Sequence, residues 1–254
     1  PHSLDSTNYH HNMIQKTEVK IGELDCILVK NETCQTPTAA VILCHGFGAP
    51  GTDLVSLAEK VIKMGKAQQD AVYIFPAAPI ELDPLFDSRA WWMIDIEKIQ
   101  SLMMNGETRE MQDESPDLLP QRRIDLTYVI DHCRHEFSLP PTKIIVGGFS
   151  QGSMLATDVA LHYPEALGGL IVWSGALIDS ERWTTEAARQ APLNIAQSHG
   201  IIDPILPIDG ARALKEMLES TEHQVEYIEF HGPHSIPMNA IKLAGKMIGK
   251  VVEG

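Results

Sequence analysis

The sequence predicts an α/β protein, one mainly parallel sheet flanked by helices with an antiparallel edge at its N-terminal side. Three observations carry this. Short β-branched runs alternate with longer amphipathic stretches along most of the chain. Two runs, AAVILC at 39–44 and, in KIIVGG, the five residues after Lys143, are apolar without interruption, as strands covered on both faces are. The runs at 18–21 and 26–30 lie so close together that a hairpin is their natural pairing.

Taken in order, strands are expected at 18–21, 26–30, 39–44, 71–75, 143–147, 168–173, 193–198 and 224–230. Helices are expected between them, at 53–64, 118–137, 151–162, 210–219 and 236–252. With 254 residues, 44% of them hydrophobic, the chain can bury a full core as a single domain spanning 1–254. Neither an internal repeat nor a Gly-, Ser- or Pro-rich linker divides it. Residues 1–16 read as a flexible start, and 76–120 as a long, substrate-facing excursion. The polar stretch NGETREMQDESPD gives that excursion a disordered-looking tip.

Composition excludes several functions. Lys and Arg number 20 against 34 Asp and Glu, a formal charge of −14 that repels phosphate backbones and anionic membranes. Nucleic acid is therefore not expected as a partner. No stretch approaches the roughly 20 apolar residues that span a bilayer, so stable membrane insertion is not expected either. The first residues lack a basic segment followed by an apolar one, as a signal peptide would have, although residue 1 is Pro and an upstream leader could have been removed. Cys26, Cys34, Cys44 and Cys133 form no CxxC pair in a chain too large to need stapling, and read as reduced thiols of a cytoplasmic protein.

The strongest chemical signal is Gly148-Phe149-Ser150-Gln151-Gly152. This G-x-S-x-G follows an apolar run and opens a helical one, the context in which a serine is held on a strained turn above a sheet. A serine hydroxyl is a weak nucleophile and needs a histidine to take its proton and a carboxylate to orient that histidine. In this topology the order is Ser, acid, His. Asp203, in SHGIIDPILP after the 193–198 run, is the first choice of acid, with Asp179 as competitor. His234, in FHGPHSIP between the last strand and last helix, is the first choice of base over His231 and His199. The His132 and His135 pair on one helix lacks a third ligand at a suitable spacing, so no metal is expected. Donors for a developing oxyanion are expected from the backbone N–H of Gln151 and, in Cys44-His45-Gly46-Phe47-Gly48, of Phe47.

HGFG, GFSQG, SHGIIDPILP and GPHS, in that order over roughly 38–250, resemble the phospholipase/carboxylesterase family of serine hydrolases, which includes acyl-protein thioesterases and small carboxylesterases. The resemblance implies an α/β-hydrolase fold, no cofactor, a Ser150, Asp203 and His234 triad and an oxyanion hole from Phe47 and Gln151. It matches the family's Trp-containing segment loosely at Arg89-Ala90-Trp91-Trp92-Met93-Ile94-Asp95, which casts Trp91 and Trp92 as substrate contacts. Two departures stand out. The acid that usually follows HG-x-G is displaced, so that Thr52 or Asp53 would cap the next helix. The excursion between Asp95 and Pro120 is also longer than the family's.

Within the excursion, Ile80, Leu82, Leu85, Phe86, Trp91, Trp92, Met93, Met103 and Met104 concentrate apolar surface suited to an acyl chain or an aromatic ester. The expected partner is a small-molecule ester or acyl thioester, with a homodimer admitted. The competing readings are a peptidase, a lysophospholipase or lipase acting at lipid interfaces, and a ligand receptor on a hydrolase scaffold.

Overall fold

The computed structural model describes residues 14–95, 97, 101, 104, 105 and 111–254. In chain order the strands are β1 (Ile14–Ile21), β2 (Leu24–Asn31), β3 (Ala39–Cys44), β4 (Ala71–Pro76), β5 (Ile80–Asp83), β6 (Ser88–Ala90), β7 (Ile144–Phe149), β8 (Gly169–Trp173), β9 (Asn194–Gly200) and β10 (Gln224–Phe230). The α-helices are α1 (Val55–Ile62), α2 (Lys66–Gln69), α3 (Leu119–Glu136), α4 (Gln151–His162), α5 (Ser180–Arg189), α6 (Ile208–Ser220) and α7 (Met238–Glu253). Eight strands form one sheet in the order β1-β2-β4-β3-β7-β8-β9-β10, and β5 and β6 make a separate hairpin. From β4 across to β10 every pairing is parallel, while β1–β2 and β2–β4 are antiparallel.

The uninterrupted apolar runs sit where they must. All six residues of β3 and of β4 are buried, and alternate side chains serve opposite faces. Ala40, Ile42 and Cys44 join the core beneath α3, α4 and α6, whereas Ala39, Val41 and Leu43 join the core beneath α1 and α7. The edge strands β1 and β10 keep exposed positions along their length. α7 presents Ala240, Ala244, Gly245, Ile248 and Gly249 inward, a narrow face that lets Gln68 of α2 reach the Gly245 carbonyl at 2.8 Å. Its last turn is closed by Lys143, whose Nζ donates to the Val251 and Val252 carbonyls.

Several expectations need correction. β1 begins at Ile14, so residues 14–16, expected in a flexible start, are strand paired with Val29 to Asn31; residues 1–13 lie outside the described residues. α1 begins at Val55 behind Leu54 and has no side-chain cap, so neither Thr52 nor Asp53 plays that part. The excursion carries the β5–β6 hairpin; Met103 and residues 106–110 lie outside the described residues, whereas the rest of the polar stretch, expected as a disordered-looking tip, is held in place where the Gln112 and Glu114 carbonyls accept the Ser180 and Asp179 N–H groups. α5 was not among the expected helices; of its ten residues only Trp183 and Ala187 are buried. No helix among the described residues is long and apolar enough to cross a membrane.

A buried ion pair ties three helices together. Asp158 of α4 accepts Arg123 Nε at 2.6 Å and Nη2 at 3.1 Å from α3, and Trp183 Nε1 at 2.9 Å from α5. Removing the acid strands Arg123 and the indole N–H. Asp158→Ala is therefore expected to cost about 3 kcal/mol, read from the urea unfolding midpoint; a loss under about 1 kcal/mol would show that the network carries little stability.

Candidate active site

Ser150 occupies the turn between β7 and α4 with φ 54° and ψ −121°, a backbone conformation that side-chain-bearing residues adopt only when their surroundings enforce it. Here the surroundings are backbone. A Cβ on Gly148 or Gly152 would collide with the Cys44 carbonyl at the end of β3. The Ser150 N–H donates to Trp173 O at 2.9 Å, and its carbonyl accepts the Ser153 hydroxyl at 2.7 Å. Gly46 lies so close that a Cβ there would stand 3.4 Å from Ser150 Cβ, which puts the HGFG turn against the serine.

The residues expected as acid and base, Asp203 and His234, meet each other against Phe149, the residue before the serine. His234 Nδ1 lies 2.6 Å from Asp203 Oδ2, so Nδ1 carries the proton and Nε2 is left as an acceptor. The His234 ring packs on Phe149, the residue before Ser150, at a centroid distance of 4.7 Å. Asp203 Oδ1 takes the Ile205 and Leu206 N–H groups at 2.8 and 2.9 Å. Burial works to raise this carboxyl, but hydrogen bonds from His199, His234 and the Leu206 N–H outweigh it and hold Asp203 well below the usual carboxylate range. Asp179, the competing acid, is occupied elsewhere: its Oδ2 meets Ser115 Oγ at 3.2 Å and Arg182 Nε at 3.3 Å. His231 is exposed at the end of β10.

The HGFG turn is braced from two sides. Gly48 N–H donates to Arg89 O, Arg89 N–H to Ala49 O, and Ser88 Oγ to Gly48 O, so β6 holds the far side of the turn. On the near side, burial pushes the His45 imidazole below its ordinary value. Neutral, it accepts the Ala78 N–H on Nε2 at 3.0 Å, which leaves Nδ1 to donate to Gly46 O at 2.8 Å.

Gln151 does more than its backbone. As the first residue of α4 its N–H has no partner within the helix. Its buried side chain accepts the Trp91 N–H at 2.9 Å and donates to Trp92 O at 2.8 Å. The Trp91 indole in turn donates to His45 O at 2.9 Å. Sequence reasoning missed this clamp, since an amide next to a nucleophile announces only its backbone. Trp91 and Trp92 need correction as well: both are buried, at 0% and 6% exposure, and Trp91 is spent on His45 and Gln151 rather than open to a substrate. Among the described residues no group of three or more His, Cys, Asp and Glu side chains could hold a metal.

A sequence model described as Phospholipase/Carboxylesterase matches residues 26–252. The chain belongs to that family. Within it, the chain is 30% identical over 190 residues to acyl-protein thioesterase 1 of Eremothecium gossypii, covering 71% of this chain and 73% of that protein. Over 236 residues it is 28% identical to acyl-protein thioesterase 1 homolog 1 of Dictyostelium discoideum, covering 89% and 97%. The fold superposes on esterase PE8 with a TM-score of 0.70 at 21% identity, covering 90% of this chain and 99% of that one. For a Bacillus cereus carboxylesterase the figures are 0.64, 19%, 91% and 95%. This phospholipase/carboxylesterase chain thus has the α/β-hydrolase fold and is a hydrolase of the esterase and thioesterase class.

Two outcomes test the geometry of the family site. Gln151→Ala leaves the Trp91 N–H and Trp92 carbonyl buried without partners, and is expected to cost about 2 kcal/mol in urea unfolding; a change under about 0.5 kcal/mol would mean that the clamp is idle. Because the Asp203 carboxyl is depressed in the fold, its contribution to stability is present above about pH 4 and is lost as pH falls through the carboxylate range. Asp203→Asn is expected to be less stable at pH 7 and to converge on the native protein towards about pH 2; parallel curves across that window would refute the assignment.

Proposed function

We propose that the chain hydrolyses carboxylic esters and acyl thioesters through an acyl-enzyme formed on Ser150. His234 takes the hydroxyl proton as Ser150 Oγ attacks the carbonyl, then gives it to the leaving alcohol or thiol as the carbon–oxygen or carbon–sulfur bond breaks. Water, deprotonated by the same imidazole, releases the acid and restores the serine. Asp203 fixes the Nδ1–H tautomer and stabilises the imidazolium, while the Phe47 and Gln151 N–H groups take the charge on the tetrahedral oxygen. The chemistry needs no cofactor.

The observation that carries this reading is the 2.6 Å bond from His234 to Asp203 beside a serine held at φ 54°. The relatives' names support the choice of ester and thioester as substrates. Leu85, Phe86, Met93 and Met104, exposed at 87%, 75%, 62% and 87%, offer the excursion's apolar surface to an acyl group. A single domain in a cytoplasmic setting completes the reading, supported by four buried free cysteines.

A p-nitrophenyl ester series from acetyl to palmitoyl, run beside an acyl thioester, tests it. Ser150→Ala is expected to lose about 10⁴-fold or more in kcat with the fold intact. Activity within about tenfold of the native protein would overturn the serine assignment. A native protein that binds these esters without turning them over would be a receptor on a hydrolase scaffold.

A further inference from the structure

His199, the penultimate residue of β9, is fully buried at the back of the acid loop. Its Nε2 lies 2.8 Å from the Leu206 carbonyl and 3.3 Å from Asp203 Oδ2. A carbonyl can only accept, so Nε2 carries the proton and the same N–H leans on the carboxylate. Nδ1 is then a bare acceptor, and it is buried without a hydrogen-bond partner. Asp203 consequently receives two backbone donors on Oδ1 and, on Oδ2, the His234 N–H at 2.6 Å with the His199 N–H as a longer, shared contact at 3.3 Å.

We propose that His199 is a positioning residue of the esterase: by sharing Oδ2 with His234 it fixes the Asp203 carboxylate and limits how tightly that carboxylate holds the base. The inference rests on the roles given above to Ser150, Asp203 and His234. A carboxylate oxygen with a second donor has less charge to offer the first, so the imidazolium of His234 is stabilised less than it would be by an undivided Asp203. The charge that faces His199 from β10 and α6 is one guanidinium set against two carboxylates. Glu229 lies opposite it in the β9–β10 register and is paired with Arg212 of α6 at 2.8 and 2.9 Å. Asp209 stands 3.6 Å from the same guanidinium, and Tyr227 lies two residues back on β10. Of these carboxylates Asp203, at 3.3 Å, is the one in ion-pair contact with the His199 ring.

The test replaces His199 by Phe, which keeps a ring and removes the donor, and by Gln, whose amide can present an N–H near the Nε2 position. With an activated ester, His199→Phe is expected to shift the acid limb of kcat/KM to higher pH and to lower kcat about tenfold with KM little changed. His199→Gln is expected to bring the limb back. A merely structural histidine predicts the opposite: a slack Asp203 supports the imidazolium less, and the limb stays or moves to lower pH. That result, or a Gln variant no better than Phe, overturns the proposal. If neither variant folds, ring 15N spectra of the native protein decide it, since a His199 protonated on Nδ1 would also overturn it. Native turnover that survives Ser150→Ala would overturn this inference together with the reading beneath it, whereas serine-dependent turnover with an unmoved limb overturns this inference alone.

Discussion

The contact on which the rest of the structure depends is the one between the serine turn and the end of β3. The Cys44 carbonyl occupies the space where side chains at 148 and 152 would begin, so β7, the turn and α4 can close on the sheet only around glycine. That closure forces Ser150 into a conformation worth about 1–3 kcal/mol of strain. It also settles what lies nearby, because the residues after Cys44 are His45 and the HGFG turn. Strain at the serine and proximity of its neighbours are therefore two results of one packing constraint.

Such a turn persists only if α4 cannot slide away, and the helix is fixed at both ends by buried polar groups. At its start Gln151 grips Trp91 and Trp92, and further along Asp158 holds Arg123 and Trp183. Each is a buried polar side chain with its partners present, so displacing either leaves a desolvated group behind. The acid loop follows the same rule on the other side of the site, where Asp203 is surrounded by donors and carries its charge in the interior. Rigidity around Ser150 thus comes from several short polar anchors rather than from one large apolar surface.

How much of this the sequence disclosed depended on the kind of interaction. The parallel core was legible because strands buried on both faces leave unbroken apolar runs, and AAVILC ends where expected. The turn at Ser150 and the meeting of Asp203 with His234 were legible because a strand-to-helix turn and the chain order of the partners both leave a local trace. What local pattern cannot express is a partnership across the chain. Gln151 meets Trp91 over a separation of 60 residues, and Trp91 meets His45 over 46. A tryptophan in an excursion therefore reads equally well as a substrate wall and as a buried donor. His199 is missed for a different reason: it lies only four residues from Asp203, but adjacent to glycine in the acid loop it looks incidental, because the irregular turn that brings its Nε2 to the carboxylate leaves no period in the sequence.

The excursion shows why the two readings of its apolar residues were inseparable in one dimension. Its inner members do scaffold work: β6 pins the HGFG turn, and Trp91 and Trp92 close over Gln151. Its outer members, Leu85 and Phe86 at the hairpin tip and Met93 just past the clamp, remain exposed. Hydrophobic composition is the same on both sides of that division, and what separates them is whether a backbone or ring polar group nearby needed a buried partner. One short segment can thereby steady the serine and its neighbouring turn while leaving an apolar surface exposed. Substitutions at the tip would leave the clamp undisturbed, because no hydrogen bond of the His45, Trp91 and Gln151 set runs through residues 85 or 86.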